Sequence, residues 1–337
     1  MVTSTGYQNV TTSQDVSMSQ TADPSDILDA LLYYNSSYLT PILVIFGVIN
    51  NLLVLVVMSL PQYRKHVSCL YLRALAVFDI INLLGIGTVL TKNVMVAMIA
   101  RYGDPFCAAL SFCSYFSPNA SSWVIIAITF TRFVAVMFPL KAHLITTFKA
   151  ANIYIAVTVI AFCVWASPSL VFSKAPKGES TRAFRCVLLI PVSVNASYEM
   201  AHSILALMLP FFVLLVLNLS IMNKMNRRNK SVERMTVSAT DTKEERSVIV
   251  MVFGVTIAFL VLVLPYVIQT IVWQVLLAYK ELNPYQIKQR NFSYTMASMF
   301  YATNCSINFF LYFITCRKFR QDFKSVILCE CLLAQKG

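Results

Sequence analysis

From Pro105 to Thr131 the chain runs for 27 residues without a lysine, arginine, aspartate or glutamate. A helix needs roughly 20 residues to cross about 30 Å of hydrocarbon. Comparable apolar runs recur at 39–60, 68–91, 150–173, 200–222, 247–276 and 292–315, which with 105–131 makes seven. Only 12% of the 337 residues are charged, against about a quarter in soluble domains. In lipid every backbone polar group needs an internal partner, so helices and closed barrels are the spanning solutions. The alternating pattern of barrel strands is not present. The expected fold is an all-α membrane protein, a seven-transmembrane helix bundle.

Residues 1–38 contain no Lys or Arg, and their only acids are Asp15, Asp23, Asp26 and Asp29. They lack the basic start and apolar core of a cleavable signal. They read as a disordered outer tail, too polar to bury a core of its own. The membrane body then covers 39–316, and 317–337 is an amphipathic helix with a short tail. Lys and Arg set the orientation. With the N-terminus outside, the inner segments hold 18 of them and the outer segments 9, which together make the 27 in the chain. The expectation is a multi-pass plasma-membrane protein with an extracellular N-terminus and a cytoplasmic C-terminus. The net charge of +12 then faces anionic membrane lipid and acidic protein partners. Basic residues confined to short loops argue against nucleic acid.

Asn9, Asn35, Asn195 and Asn291 are glycosylation candidates on the outer side; Asn119, Asn218 and Asn304 share the motif but lie inside spans. Cys107 opens the third run and Cys186 lies in the 173–199 outer loop. On the residues alone they are either a bridge or two free thiols facing an oxidising compartment. Cys69, Cys113, Cys163 and Cys305 read as packing residues. Cys329 and Cys331 are palmitoylation candidates behind an amphipathic stretch. That stretch, RKFRQDFKSVIL, puts Phe319, Phe323, Val326 and Ile327 on one helical face, as in a helix lying on the inner membrane surface.

Asp79 is the one acid in the interior of a run. An ionisable group at that depth is a functional candidate by default. Asn51, Ser121, Asn304 and Asn308 fall at similar depth. Such a cluster holds a sodium ion, or a protonated carboxyl, or serves helix packing alone. His66, His143 and His202 are scattered, and 8 glycines leave little for a phosphate-binding loop. The chain is not expected to be an enzyme.

Taken in order, these residues resemble the rhodopsin-like (class A) G-protein-coupled receptors over about 39–328. Asn51 in INNLLVLVV, Asp79 in LAVFD, Arg132 in TFTRFVAVMFPLKA, Phe259, Pro210, Pro265 and Asn308–Tyr312 in NFFLY carry the likeness. Within the family, YLRALAVFD and NCSINFFLYFITCRKFRQDF are similar to invertebrate neuropeptide receptors of the FMRFamide type. The resemblance implies a Cys107–Cys186 disulfide. It implies a sodium site at Asp79, Ser121, Asn304 and Asn308, with no other cofactor. It implies a G-protein switch at Arg132, Asn308 and Tyr312. It also places Glu245 across the bundle from Arg132, as the partner that a sixth-helix movement would release toward a heterotrimeric G protein. The departures are Thr131 beside Arg132, Phe133, Val263, Phe309 and Asn218, and a displaced fourth-helix tryptophan.

The implied ligand pocket draws on Ser111, Ser114, Tyr115, Tyr266, Gln269, Thr270, Tyr294 and Ser298. Ser114 stands where amine receptors of the family carry aspartate, which disfavours a monoamine. The absence of lysine from 292–315 excludes a retinal Schiff base in its usual place. An extracellular peptide is the leading ligand class. A chemosensory receptor for small environmental molecules is the second reading. A seven-helix transporter would need paired broken helices and midplane charges, which the sequence does not show.

Overall fold

The structure, a computed structural model, describes residues 24–64, 66–176, 186–232, 242–279 and 282–327. Asn9, Cys329 and Cys331 lie outside the described residues, as does the side chain of Glu245.

The first span is a helical column. Helix α1 (Pro24–Tyr34) runs through a π turn (Asn35–Leu39) into α2 (Thr40–Met58). Residues 24–38 are therefore helical, not the disordered tail expected of 1–38. Leu28, Leu32, Asn35 and Thr40 are among the less exposed positions of this column and recur at roughly helical spacing. The second span is α3 (Val67–Leu90) and the third is α4 (Lys92–Met137). Gly103 interrupts α4 at φ 58°, a left-handed conformation that glycine takes without steric cost. A short α5 (Pro139–Ile145) leads to the fourth span, α6 (Phe148–Phe172).

The fifth span is α7 (Val192–Ser203), a π turn (Ile204–Met208) and α8 (Leu209–Val232). Pro210 accounts for the π turn. It has no N–H to give back to the preceding turn, and its ring crowds that turn's carbonyls. The Leu205 carbonyl there accepts from Trp123 Nε1 of α4 at 3.0 Å. The sixth span is α9 (Thr242–Tyr279). The seventh is α10 (Pro284–Ser306) and α11 (Asn308–Thr315), divided at Ile307. Helix α12 (Arg317–Ile327) follows at once. Among the described residues, six helical runs are long and apolar enough to cross a membrane by length and composition; the divided seventh is not one of them.

The break at Ile307 forms although Phe309 replaces the family's proline. The Cys305 and Ser306 carbonyls beside it accept from Asn51 Nδ2 at 2.8 Å and Asn50 Nδ2 at 3.1 Å, both on α2. Gly47 permits that approach, since a Cβ there would sit 2.2 Å from Ser306 Oγ. Phe309 packs with its ring centroid 5.6 Å from Phe319 and 4.9 Å from Phe323, fastening α12 to the bundle.

The core follows the helix–helix seams: Val54, Leu72, Leu75, Leu83, Val124, Ile128, Phe259 and Val263 are buried. Ile153, Val157, Ile160 and Val164 of α6 are exposed at helical spacing, an apolar stripe suited to lipid.

Candidate functional site

Two ends of α4 define the geometry. Cys107 and Arg132 are separated by about 37 Å at 1.5 Å per helical residue. At the Cys107 end a two-stranded ribbon, β1 (Ser173–Lys174) with β2 (Val187–Leu188), is antiparallel. The Cys107–Cys186 disulfide ties it to α4. Asp104 adds a hydrogen bond from the Ala175 N–H at 2.8 Å and an ion pair with Lys174 at 3.5 Å.

A cavity of about 310 Å³ opens at this end, between α3, α4, α7, α9 and α10. Six expected ligand residues line it: Ser114, Tyr266, Gln269, Thr270, Tyr294 and Ser298. Ser111 and Tyr115 are not lining residues. Ser111 is half-buried elsewhere on α4, while Tyr115 reaches the site through its hydroxyl, which donates to Glu199 Oε1. The sequence reading did not place Glu199, His202, Trp273 or Arg290 in the cavity, yet all line it. His202 Nδ1 is 3.0 Å from Asn119 Nδ2.

Of the glycosylation candidates, Asn35 is a correction. It is 1% exposed, and Thr40 donates to its Oδ1 at 2.8 Å, so the packing leaves no room for a glycan on Nδ2. Asn195 and Asn291 are half-buried, and Asn291 faces the cavity.

Midway along the bundle Asp79 is 1% exposed. Its Oδ1 accepts from Ser121 at 2.8 Å and its Oδ2 from Asn308 Nδ2 at 2.7 Å. Asn304 is buried at the same level of the seventh span, and Asn51 holds the carbonyl of the adjacent Cys305. A carboxylate with hydroxyl and amide oxygens is the donor chemistry of a hard cation. These residues fit sodium, provided Asn308 turns its amide oxygen inward in place of Nδ2. Among the described residues no group of three or more His, Cys, Asp and Glu is arranged for another metal.

At the far end Arg132 donates from Nη2 to Ser68 Oγ at 2.6 Å, at the start of α3. Tyr312 is buried with its ring edge-on to Phe319 at 5.8 Å. In the loop before α3 (Pro61–Tyr63 and Arg64), burial and the Asp322 carboxylate of α12 push the Tyr63 phenol well above its usual range. Lys318 lies 5.9 Å from the Tyr63 ring centroid. These contacts seat α12 under the second span.

Trp123, on α4, packs on Phe162 at 6.0 Å and accepts at its carbonyl from the Tyr154 hydroxyl.

The bundle thus has a polar cavity at one end, a buried hydrogen-bonded carboxylate at its centre and a part-buried arginine at the other end. The profile of the 7 transmembrane receptor (rhodopsin family) matches residues 50–312, and the chain belongs to that family. It is therefore a multi-pass membrane protein of a receptor family. The Drosophila melanogaster FMRFamide receptor is 25% identical over 294 residues, 83% of this chain and 51% of that protein. The human thyrotropin-releasing hormone receptor is 35% identical over 126 residues, 37% of this chain and 29% of that protein. The pig muscarinic acetylcholine receptor M3 is 27% identical over 218 residues, 63% of this chain and 36% of that protein. The chain thus spans about half or less of these relatives' own lengths.

Proposed function

We propose that the chain is a plasma-membrane receptor that binds an extracellular peptide and activates a heterotrimeric G protein. The carrying observation is the cavity at the Cys107 end, whose lining mixes Tyr266, Tyr294 and Trp273 with Glu199, His202 and Arg290. Aromatic walls with a few polar and charged groups suit a peptide's mixed side chains. The long alignment with an FMRFamide receptor supports the peptide class.

In this reading the N-terminus is extracellular, and Asn195 and Asn291 are the glycosylation acceptors left on the described residues. Sodium binds at Asp79 in the inactive state. Agonist moves α9 outward, separating Glu245 from Arg132 and opening a groove for a G-protein helix. Cys329 and Cys331 carry palmitate that holds the end of α12 against the lipid. The muscarinic relative keeps a small-molecule ligand as the second reading, as in a chemosensory receptor.

The test is a calcium and cAMP assay in cells expressing the chain, challenged with a library of amidated peptides. The expected result is a nanomolar response to one peptide, abolished by Arg132→Ala. Silence across the library with normal surface expression, followed by a response to small water-borne molecules, establishes the second reading instead.

A further inference from the structure

Glu199 is the one carboxylate lining the cavity among the described residues. It is held in place before any ligand arrives. The Tyr115 hydroxyl donates to its Oε1. The Tyr115 ring packs on Tyr198 with centroids 4.8 Å apart, and Tyr198 stacks on Trp165 at 5.0 Å. Tyr198 also donates from its hydroxyl to the Trp165 carbonyl at 2.8 Å. This column joins α4, α7 and α6 and leaves the carboxylate little freedom to turn away. A carboxylate offers about four acceptor sites, and the Tyr115 hydroxyl fills one.

Arg290 lines the same cavity from α10, exposed at its rim; its charge acts on Glu199, but the two form no direct ion pair among the described residues. The cavity therefore has separated charges of opposite sign. Ser298 is 3% exposed, lines the cavity, and its Oγ has no hydrogen-bond partner among the described residues. Unmatched polar groups in a partly dehydrated site are costly, and a ligand that matches them recovers that cost.

We propose that Glu199 is a cation subsite, taking a guanidinium or ammonium group of the ligand, with Ser298 Oγ hydrogen-bonding an amide of the same molecule. The counter-charge that Ser114 does not provide on α4 is supplied from α7. This deepens the receptor reading above and rests on it. An arginine-containing amidated peptide meets both demands. A guanidinium also pairs with carboxylate oxygens in a bidentate fork, which an acceptor fixed on one edge by Tyr115 can still offer in part.

The probes are N-acetyl-arginine amide and its neutral isostere N-acetyl-citrulline amide, titrated against the purified full-length chain with the melting temperature as readout. The arginine probe is expected to bind about tenfold more tightly. Glu199→Gln keeps an oxygen for Tyr115 and removes only the charge, so it should bring the two probes level, while Glu199→Asp should retain the preference. Equal affinity in the wild type, no binding of either probe, or a preference that survives Glu199→Gln overturns the assignment. If Glu199→Gln fails to fold, the wild-type comparison and Glu199→Asp still decide: a missing preference in either overturns it. Activation by a peptide without probe discrimination sinks only this inference. Probe discrimination with no G-protein response in any assay sinks only the receptor reading.

Discussion

Asn308 Nδ2 donates to Asp79 Oδ2 at 2.7 Å, joining the second and seventh spans across 229 residues of sequence. The bond sits one residue beyond the break at Ile307, so the shape of the seventh span and the state of the carboxylate are coupled. A cation bound at Asp79 would compete with this amide N–H, and a movement of α11 would change that cation's ligands.

Sodium should therefore stabilise the protein through Asp79. At a concentration ten times its Kd the ion would add about 1.4 kcal/mol. The melting temperature of the purified wild type is expected to rise when N-methylglucamine chloride is exchanged for sodium chloride. Asp79→Asn keeps the shape and loses the charge, so its melting temperature should not respond. A sodium response retained in Asp79→Asn would move the site elsewhere.

Arg132 is held by Ser68 at 2.6 Å, a contact between the third and second spans that the sequence did not suggest. A hydrogen bond from a charged donor contributes about 1.5 kcal/mol or more, enough to shift a two-state equilibrium roughly tenfold. Ser68→Ala should raise ligand-independent nucleotide exchange on the G protein by about that factor. Glu245→Gln should raise it as well, and the double variant should exceed either. Unchanged basal exchange in Glu245→Gln would remove Glu245 from the switch and leave Ser68 as the restraint.

Much of this was legible in the sequence, and the exceptions share a cause. Ser121 and Asn308 meet Asp79 and Cys107 meets Cys186, as the family resemblance implied; Asp79, Ser121, Asn308 and Cys107 lie on helices, while Cys186 sits in the outer loop beside β2. Six of the eight residues that the resemblance implied for a pocket line the cavity. The apolar run begins at 200, which leaves Glu199 just outside it. The helix starts at Val192, so Glu199, His202, Ser203 and Ala206 fall at helical spacing on one cavity-lining face. The error over 24–38 is similar: hydropathy marks where lipid contact begins, and helices extend past it wherever a few apolar residues share a face. Ser68 was invisible because a contact across 64 residues depends on how two helices cross.

Trp123 shows what such a crossing contributes. Its Nε1 satisfies the Leu205 carbonyl, within the π turn before Pro210. Trp123→Phe keeps most of the packing against Phe162 and strands that part-buried carbonyl, which costs about 1 kcal/mol. The expected result is a lower melting temperature together with faster amide exchange confined to 204–208. A lower melting temperature without local exchange would mean that indole volume, not its N–H, is what the site uses.

Phe309 replaces a proline yet keeps the seventh span divided, and its ring is where α11 meets α12. It lies 4.9 Å from Phe323 and 5.6 Å from Phe319, and is 6% exposed. Removing a buried phenylalanine ring costs about 3–5 kcal/mol. Phe309→Ala should lower the melting temperature and selectively raise amide exchange in 317–327. The Ile307 break should persist, because Asn50 and Asn51 still engage the Ser306 and Cys305 carbonyls. Phe309→Pro separates the two roles: it deletes the same ring while favouring the break. If Phe309→Pro loosens α12 as much as Phe309→Ala does, the phenylalanine serves the amphipathic helix. If Phe309→Pro leaves α12 protected, the contacts of Tyr312 with Phe319 and Phe313 with Phe323 are sufficient to seat it.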